Sequence, residues 1–366
     1  MSQFISRAYQ WASDASSIEQ QWQTVSGIEP HWADKDERAK LLRRNELSGY
    51  GHELILAPSK SWLSQGFSAG QWVQLGIEIN GVVYHRCYSI ASSPAEAQEQ
   101  NQIRLGIGSK ANGLVSNAVI NIPLNSQISL GLPEGEFALK QPSANTPVFI
   151  AGGAGITPIR SMLIAALESY DKLILIYSVK SKDHAFYLQE FEQLQEIFPG
   201  FQFQLFCTDK NKDEYSGRIT ANTIKQLCLE QTDDSATVHF DFYVCGSHDF
   251  SQKIEQWVNQ SKSSQSSVCI EAFSAPQQKL SGAASQIHFT RSGIQSSGDN
   301  QGSVLEIAEA SGINAHHGCR MGICQQCQCK AEGTFKNIRN GELVEKQNQD
   351  IRICIYQAIG EVSLAI

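Results

Sequence analysis

The sequence predicts a multidomain fold: an antiparallel β-barrel, then an α/β domain with a parallel sheet, then a small α+β domain. Three observations predict it. At 366 residues the chain exceeds what one ordinary core accommodates. Near Pro147 its rhythm changes from short alternating runs to apolar runs separated by helical stretches. Further on, the small and polar stretch SAPQQKLSGAAS (274–285) reads as an interdomain linker.

Each part follows from its own pattern. Residues 1–45 are polar with aromatic anchors at Tyr9, Trp11, Trp22 and Trp32, and are expected to form a helical extension. Residues 46–142 hold HELILAP, QWVQLGIEI, GVVYHRCYSI, QIRLGIG and SQISLGL, broken at close intervals by Gly, Pro and Asn, the pattern of an antiparallel barrel or sandwich. Residues 143–273 hold VFIAGG, KLILIYSV, FQFQLFC, HFDFYVC and SSVCIEAF, separated by stretches such as TPIRSMLIAALESY. Buried strands alternating with helices imply a parallel sheet. Residues 286–366 open on a hairpin-like segment and a short amphipathic helix, SVLEIAEAS. A cysteine-rich loop and two closing strands follow.

Bulk properties exclude several classes of function. A formal net charge of −8 argues against a nucleic-acid surface, which needs a basic footprint. No apolar run approaches the length of a membrane span. The start, MSQFISRAYQWASDASS, has no apolar signal core, and ten cysteines in such a chain point to a reducing compartment, so the cytoplasm is the expected location.

The cysteines give the most specific spacing. Cys319, Cys324 and Cys327 form C-x4-C-x2-C, with Cys354 as a distant fourth. That is the plant-type spacing for a 2Fe–2S cluster. Gly318 and Gly322 let the backbone bend around an anionic iron–sulfide core, its N–H groups can donate to the sulfurs, and Arg320 adds positive charge. Structural zinc normally uses two C-x2-C knuckles, and only one is present. His316 and His317 directly precede Cys319, which does not suit a Rieske centre. A thioredoxin-like C-x-x-C should follow a strand and open a helix, which QQC does not suggest. Cys329 is expected to be a packed strand cysteine.

Three further constellations precede this loop. Arg86, Tyr88 and Ser89 form R-x-Y-S at a strand end, which by itself also fits an edge strand with a surface arginine. Its partner is K-x-x-G-x-x-S, Lys110, Gly113 and Ser116, where a glycine turn and a helix start offer N–H groups to a diphosphate. Arg86 supplies a cation for that diphosphate and Tyr88 a flat face for an isoalloxazine ring. VFIAGGAGITPIR places Gly152, Gly153 and Gly155 between a strand and a helix, removing side chains where a pyrophosphate must approach. At a later strand end comes YVCGS, whose Cys245 is either a buried core residue or a neighbour of a nicotinamide.

In this order RCYS, KANGLVS, GGAGITP, YVCGS and EAF (Glu271, Ala272, Phe273) resemble the ferredoxin–NADP reductase superfamily. With the cysteine loop appended, residues 46–366 resemble a three-part member, a flavin reductase fused to a plant-type ferredoxin. The resemblance implies a flavin-binding barrel, a nucleotide-binding α/β domain and a β-grasp iron–sulfur domain. It assigns Arg86, Lys110, Gly113 and Ser116 to the flavin diphosphate, Tyr88 to stacking on the ring and Ser89 to its N5. Thr157 and Cys245, with Gly246 beside it, would flank the nicotinamide, and Phe273 would approach the flavin. The arginine that often follows the second α/β strand is Lys180 here.

The diphosphate site favours FAD over FMN. No Asp or Glu ends KLILIYSVKSK to hold ribose hydroxyls, whereas Ser178, Lys180, Lys182 and Arg218 suit a 2′-phosphate, so NADPH is favoured over NADH. A nicotinamide gives two electrons as hydride and a 2Fe–2S cluster takes one, so a flavin must stand between them. Residues 286–366 carry eight acidic and seven basic side chains, a balance that suits a tethered domain with no need of steering. The expected function is an NAD(P)H-dependent reductase for a separate iron enzyme, an oxygenase, hydroxylase or fatty-acid desaturase component. The alternatives are a reductase for a nitrogen-oxide or hybrid-cluster protein, and a nucleotide-responsive redox sensor without turnover.

Overall fold

The computed structural model describes residues 38–79, 82–109, 114–209, 217–230, 239–261, 266–273, 285–298, 302–317, 320, 322, 326–338 and 341–366. The first domain contains β1 (Arg38–Ser48), β2 (Gly51–Pro58), α1 (Lys60–Gln65), β3 (Trp72–Ile79), β4 (Val82–Ser89), α2 (Pro94–Gln100), β5 (Ile103–Gly108), α3 (Leu114–Val119) and β6 (Gln127–Leu130). Its strands run in the order β4-β3-β6-β1-β2-β5, all antiparallel. A bridge from Ile90, just past β4, to Leu105 on β5 closes the sheet into a barrel. Leu41, Leu54, Leu75, Leu105 and Leu130 fill it, each contributing about 2 kcal/mol through burial.

The boundary expected at residue 45 falls inside β1, so residues 38–45 belong to the barrel and not to a helical extension. RAKLLRRNELS is rich in helix formers, but pairing on both sides, with β2 and β6, overrides that local preference. The rest of the expected extension, residues 1–37, lies outside the described residues.

The second domain contains β7 (Thr146–Gly152), α4 (Ile156–Ala166), β8 (Leu173–Val179), α5 (Leu188–Ile197), β9 (Phe201–Cys207), α6 (Ala221–Glu230), β10 (Phe240–Gly246), α7 (His248–Ser261) and β11 (Ser267–Ala272). All its strands are parallel, in the order β11-β10-β7-β8-β9. Alternation sends Phe149, Leu175 and Tyr243 to a face covered by α4 and α5. Ile150, Ile176 and Val244 face α6 and α7 on the other side. With both faces buried, the strands read as continuous apolar runs.

The third domain contains β12 (Ser285–Phe289), β13 (Ile294–Gly298), α8 (Val304–Ala310), β14 (Gln328–Asn337), β15 (Leu343–Arg352) and β16 (Tyr356–Leu364). The order is β13-β12-β16-β14-β15, with β12 and β16 parallel and the other pairs antiparallel. A capping box between Ser303 and Glu306 starts α8, whose Val304, Leu305 and Ala308 pack onto the sheet. No helix among the described residues is long and apolar enough to cross a membrane.

Candidate functional site

Arg86 and Tyr88, two residues apart on β4, share the face on which their β3 partners Leu75 and Val73 are buried. Burial pushes the Tyr88 hydroxyl up to about 12, against the pull of Arg86. Burial lowers Arg86, and the Arg320 guanidinium of the third domain lowers it further. A cation depressed in this way gains from an anion, so the pair fits a flavin phosphate beside a flat aromatic face. Ser89 is buried, and Ser116 lies half-buried on α3. Lys110 and Gly113 lie outside the described residues.

The turn from β7 to α4 divides the glycines of GGAG by role. Gly153 has φ +55°, and a Cβ added there would meet nothing within 4 Å, so this position faces open space. At Gly155 a Cβ would stand 2.3 Å from the Cys245 carbonyl oxygen, and at Gly152 one would stand 2.9 Å from the Phe250 ring. Gly152 and Gly155 are thus also required by packing, against α7 and β10. No side chain caps α4, whose first N–H, that of Ile156, turns back to the Gly153 and Ala154 carbonyls. Thr157 is buried, and its hydroxyl donates to the Ala154 carbonyl at 3.0 Å.

Cys245 is fully buried at the carboxyl end of β10, directly opposite Glu271 on β11. Its thiol lies 3.8 Å from Glu271 Oε2 and donates to it. Burial raises Glu271 to about 7, the Cys245 thiol opposing only in part. Burial and the Glu271 charge push the thiol itself well up, so it stays protonated. The Phe273 N–H donates to the Gly246 carbonyl at 2.8 Å, seating Phe273 beside the same strand end. Sequence reasoning gives Glu271 no role beyond its place in E-x-F. The one signal that could have found it is that place, on a strand end opposite YVCGS.

Ser178 is half-buried near the end of β8, and Lys180 beyond it is exposed. Val179 pairs with Cys207, whose carbonyl accepts from Gly217 N at 2.8 Å. That bond brings the exposed Arg218 to the sheet edge that carries Lys180.

In the third domain Cys327 and Cys354 are buried with sulfurs 3.1 Å apart, beyond a disulfide's bond length of about 2.05 Å. Gly322 N donates to Cys354 Sγ at 3.2 Å. Gly322 has φ +71°, and a Cβ there would meet the Ile355 side chain at 2.6 Å. Two converging thiols with an amide aimed at one of them fit an anionic iron–sulfide core. Cys319 and Cys324 lie outside the described residues, and Cys329 packs into the domain core. The face of the third domain beside Cys327 meets the barrel. Gln326 Nε2 donates to Gln74 Oε1, and the His316 ring lies 6.2 Å from that of His85. Gln74 is paired with Cys87, the residue before Tyr88.

Three family models match the chain in the order of its domains: an oxidoreductase FAD-binding domain at 39–139, an oxidoreductase NAD-binding domain at 149–256 and a 2Fe–2S iron–sulfur cluster binding domain at 287–358. The chain joins these three domains in the order expected of a fused member of the ferredoxin–NADP reductase superfamily. The reductase is 24% identical over 342 residues to an NADPH oxidoreductase of Mycobacterium tuberculosis, covering 92% of this chain and 86% of the relative. It is 33% identical over 175 residues to one component of the Na(+)-translocating NADH-quinone reductase of Pseudomonas aeruginosa, covering 44% of this chain and 42% of that one. Among solved structures it resembles phthalate dioxygenase reductase, at TM-score 0.59 and 19% identity, covering 90% of this chain and 97% of that one. A type IV self-sufficient cytochrome P450 monooxygenase matches at TM-score 0.55 and 16% identity, over 94% of this chain and 43% of that one. At such identities the likeness is one of fold. The reductase is an NAD(P)H-dependent oxidoreductase that uses FAD and a 2Fe–2S cluster.

Proposed function

We propose that this reductase delivers electrons from NAD(P)H, one at a time, to a separate iron enzyme, an oxygenase, hydroxylase or desaturase component. The observation that carries the reading is the seating of the third domain on the flavin strands, with Gln326, next to Cys327, on Gln74 and His316 beside His85. It gives electrons a short route within one chain. The reading is supported by the names of two solved structures of like fold, a dioxygenase reductase and a P450 monooxygenase.

A flavin held here would supply the conversion of a two-electron hydride donor into single-electron steps. Arg86 holds the phosphate charge and Tyr88 covers the ring. Gly153 and the positive end of α4 receive the nucleotide pyrophosphate, while Cys245 and Glu271 border the nicotinamide. Cys319, Cys324, Cys327 and Cys354 hold the cluster. The test is anaerobic addition of NADPH, which should bleach flavin and cluster absorbance, followed by turnover of an oxygenase or desaturase component mixed with the reduced chain. Bleaching without transfer to any such component would sink the reading, and binding without bleaching would support the redox sensor instead.

NADPH is the donor favoured by Lys180 and Arg218 on one sheet edge, and the relative matched over 92% of the chain is named for NADPH. We expect kcat/KM to favour NADPH, and Lys180→Ala to lower it about fivefold for NADPH with little change for NADH. A wild-type preference for NADH would reverse the assignment.

A further inference from the structure

A network of buried charges joins the first two domains away from the flavin and cluster residues. Arg160 on α4 is fully buried, yet each of its N–H donors has a partner. Nε and Nη2 donate to the two oxygens of Glu190 at 2.8 and 2.5 Å. Nη1 donates to the Ala91 carbonyl at 2.6 Å and to Glu96 Oε2 at 3.1 Å, and Nη2 also donates to Glu96 Oε1 at 3.0 Å. Glu190 belongs to the nucleotide domain, whereas Ala91 and Glu96 belong to the barrel. The chain of charges continues to Arg104, which donates to Glu53 at 2.6 Å. The Tyr187 ring sits within cation–π range of both guanidiniums, 5.5 Å from Arg104 and 5.2 Å from Arg160.

Several features aim this assembly at the hydride-transfer site. Glu96 is held in place by a capping box with Ser93 at the start of α2, so its carboxylate reaches Arg160 already oriented. Arg160 lies one helical turn beyond Thr157 on α4, so the two share a face. That face rests on β5, where a Cβ added to Gly106 would stand 2.6 Å from Thr157 Cγ2 and 3.0 Å from the Tyr187 hydroxyl. Gly51, next to Gly108 across the strands, likewise makes room for the Phe186 ring. A bare strand face on one domain thus receives side chains of the other, and a bidentate ion network fixes the depth.

We propose that Glu96, Arg160 and Glu190 are positioning residues for hydride transfer, a buried ion joint that sets the height of the α4 start, and with it the nicotinamide, over the flavin. Buried ion pairs add little net stability compared with apolar packing, but they fix geometry, because each donor has one good direction. Hydride transfer is sensitive to such placement, since a shift on the order of 1 Å costs about a hundredfold in rate. The joint governs electron entry and does so whichever enzyme accepts the electrons.

The test is anaerobic stopped-flow reduction of the full FAD- and cluster-loaded chain by NADPH. Glu96→Gln and Arg160→Lys should each slow flavin reduction at saturating NADPH at least tenfold, leave the NADPH concentration at half-saturation within about twofold, and weaken the long-wavelength charge-transfer absorbance between nicotinamide and flavin. Oxidation of the dithionite-reduced cluster by ferricyanide should keep its wild-type rate. Gly106→Ala, which leaves every charge in place and wedges the joint by one methyl, should slow the same step; it decides the matter if the charge variants do not fold. Flavin reduction at wild-type rate in Gly106→Ala, or slowing with an unchanged charge-transfer band, would overturn the proposal.

Discussion

The half-buried Glu271 and the buried Cys245 form a proton-holding pair at the strand end proposed to meet the nicotinamide. The carboxyl is raised by burial to about 7, so over mildly acidic pH it binds a proton in the folded chain that it has lost in the unfolded chain. The linkage sign follows: its contribution to stability is full below the ordinary carboxyl range and is lost as pH rises through about 7. Thermal unfolding of the holo chain from pH 5 to 8.5 should show wild type losing stability relative to Glu271→Gln as pH rises. Parallel curves would mean that the carboxyl titrates normally. Glu96 behaves in the opposite sense. Burial opposes its ionisation, but Arg160, by charge and hydrogen bond, and Arg104 outweigh it and hold the carboxyl at about 2. Its stabilisation is present above the ordinary carboxyl range and is lost as pH falls toward 2, so the ion joint stays closed wherever the enzyme works.

Among the elements, the turn from β7 to α4 is held by contacts that an alanine cannot share. Gly155→Ala drives a methyl into the Cys245 backbone, and rigid backbone yields little, so we expect a loss of about 1–3 kcal/mol in chemical denaturation, with weaker NADPH binding. Gly322→Ala meets the Ile355 side chain first and must also hold φ +71°, so it should lower cluster occupancy, measured as iron and sulfide per chain, more than it lowers Tm. Both glycines were legible from motifs, yet the reason for Gly155 was not, because the strand that crowds it lies about ninety residues further on. The same limit explains Arg160: GITPIR is local, while its partners Glu190 and Glu96 stand 30 and 64 residues away. The strand pattern of the barrel was readable wherever residues alternated, and it failed at β1, where a run of Leu, Arg and Lys alternates poorly and pairing decides the outcome.

For the whole molecule, the order of three domains was legible because each has its own rhythm and motif, but the way the third sits on the first was not. Uncharged amides make part of that contact, with Gln326 on Gln74, and His316 lies beside His85; no local pattern marks such residues. Their placement has a kinetic consequence. Gln326 precedes Cys327, a proposed cluster ligand, and Gln74 is paired with the residue before Tyr88, the residue proposed to cover the flavin ring, so on these assignments the contact would set the approach of cluster to flavin. Electron flow from flavin to cluster should therefore depend on it, while hydride entry, which the proposed joint of Arg160 and Glu96 governs, should not. In stopped-flow reduction by NADPH, Gln74→Ala should leave the rate of flavin bleaching unchanged and make cluster bleaching lag severalfold behind wild type. Because Gln74 and Gln326 carry no charge, the lag caused by Gln74→Ala should persist from low to high salt, unlike steering of a charged external acceptor, which salt screens. Cluster bleaching that keeps pace with the flavin in Gln74→Ala would show that the contact does not set the route.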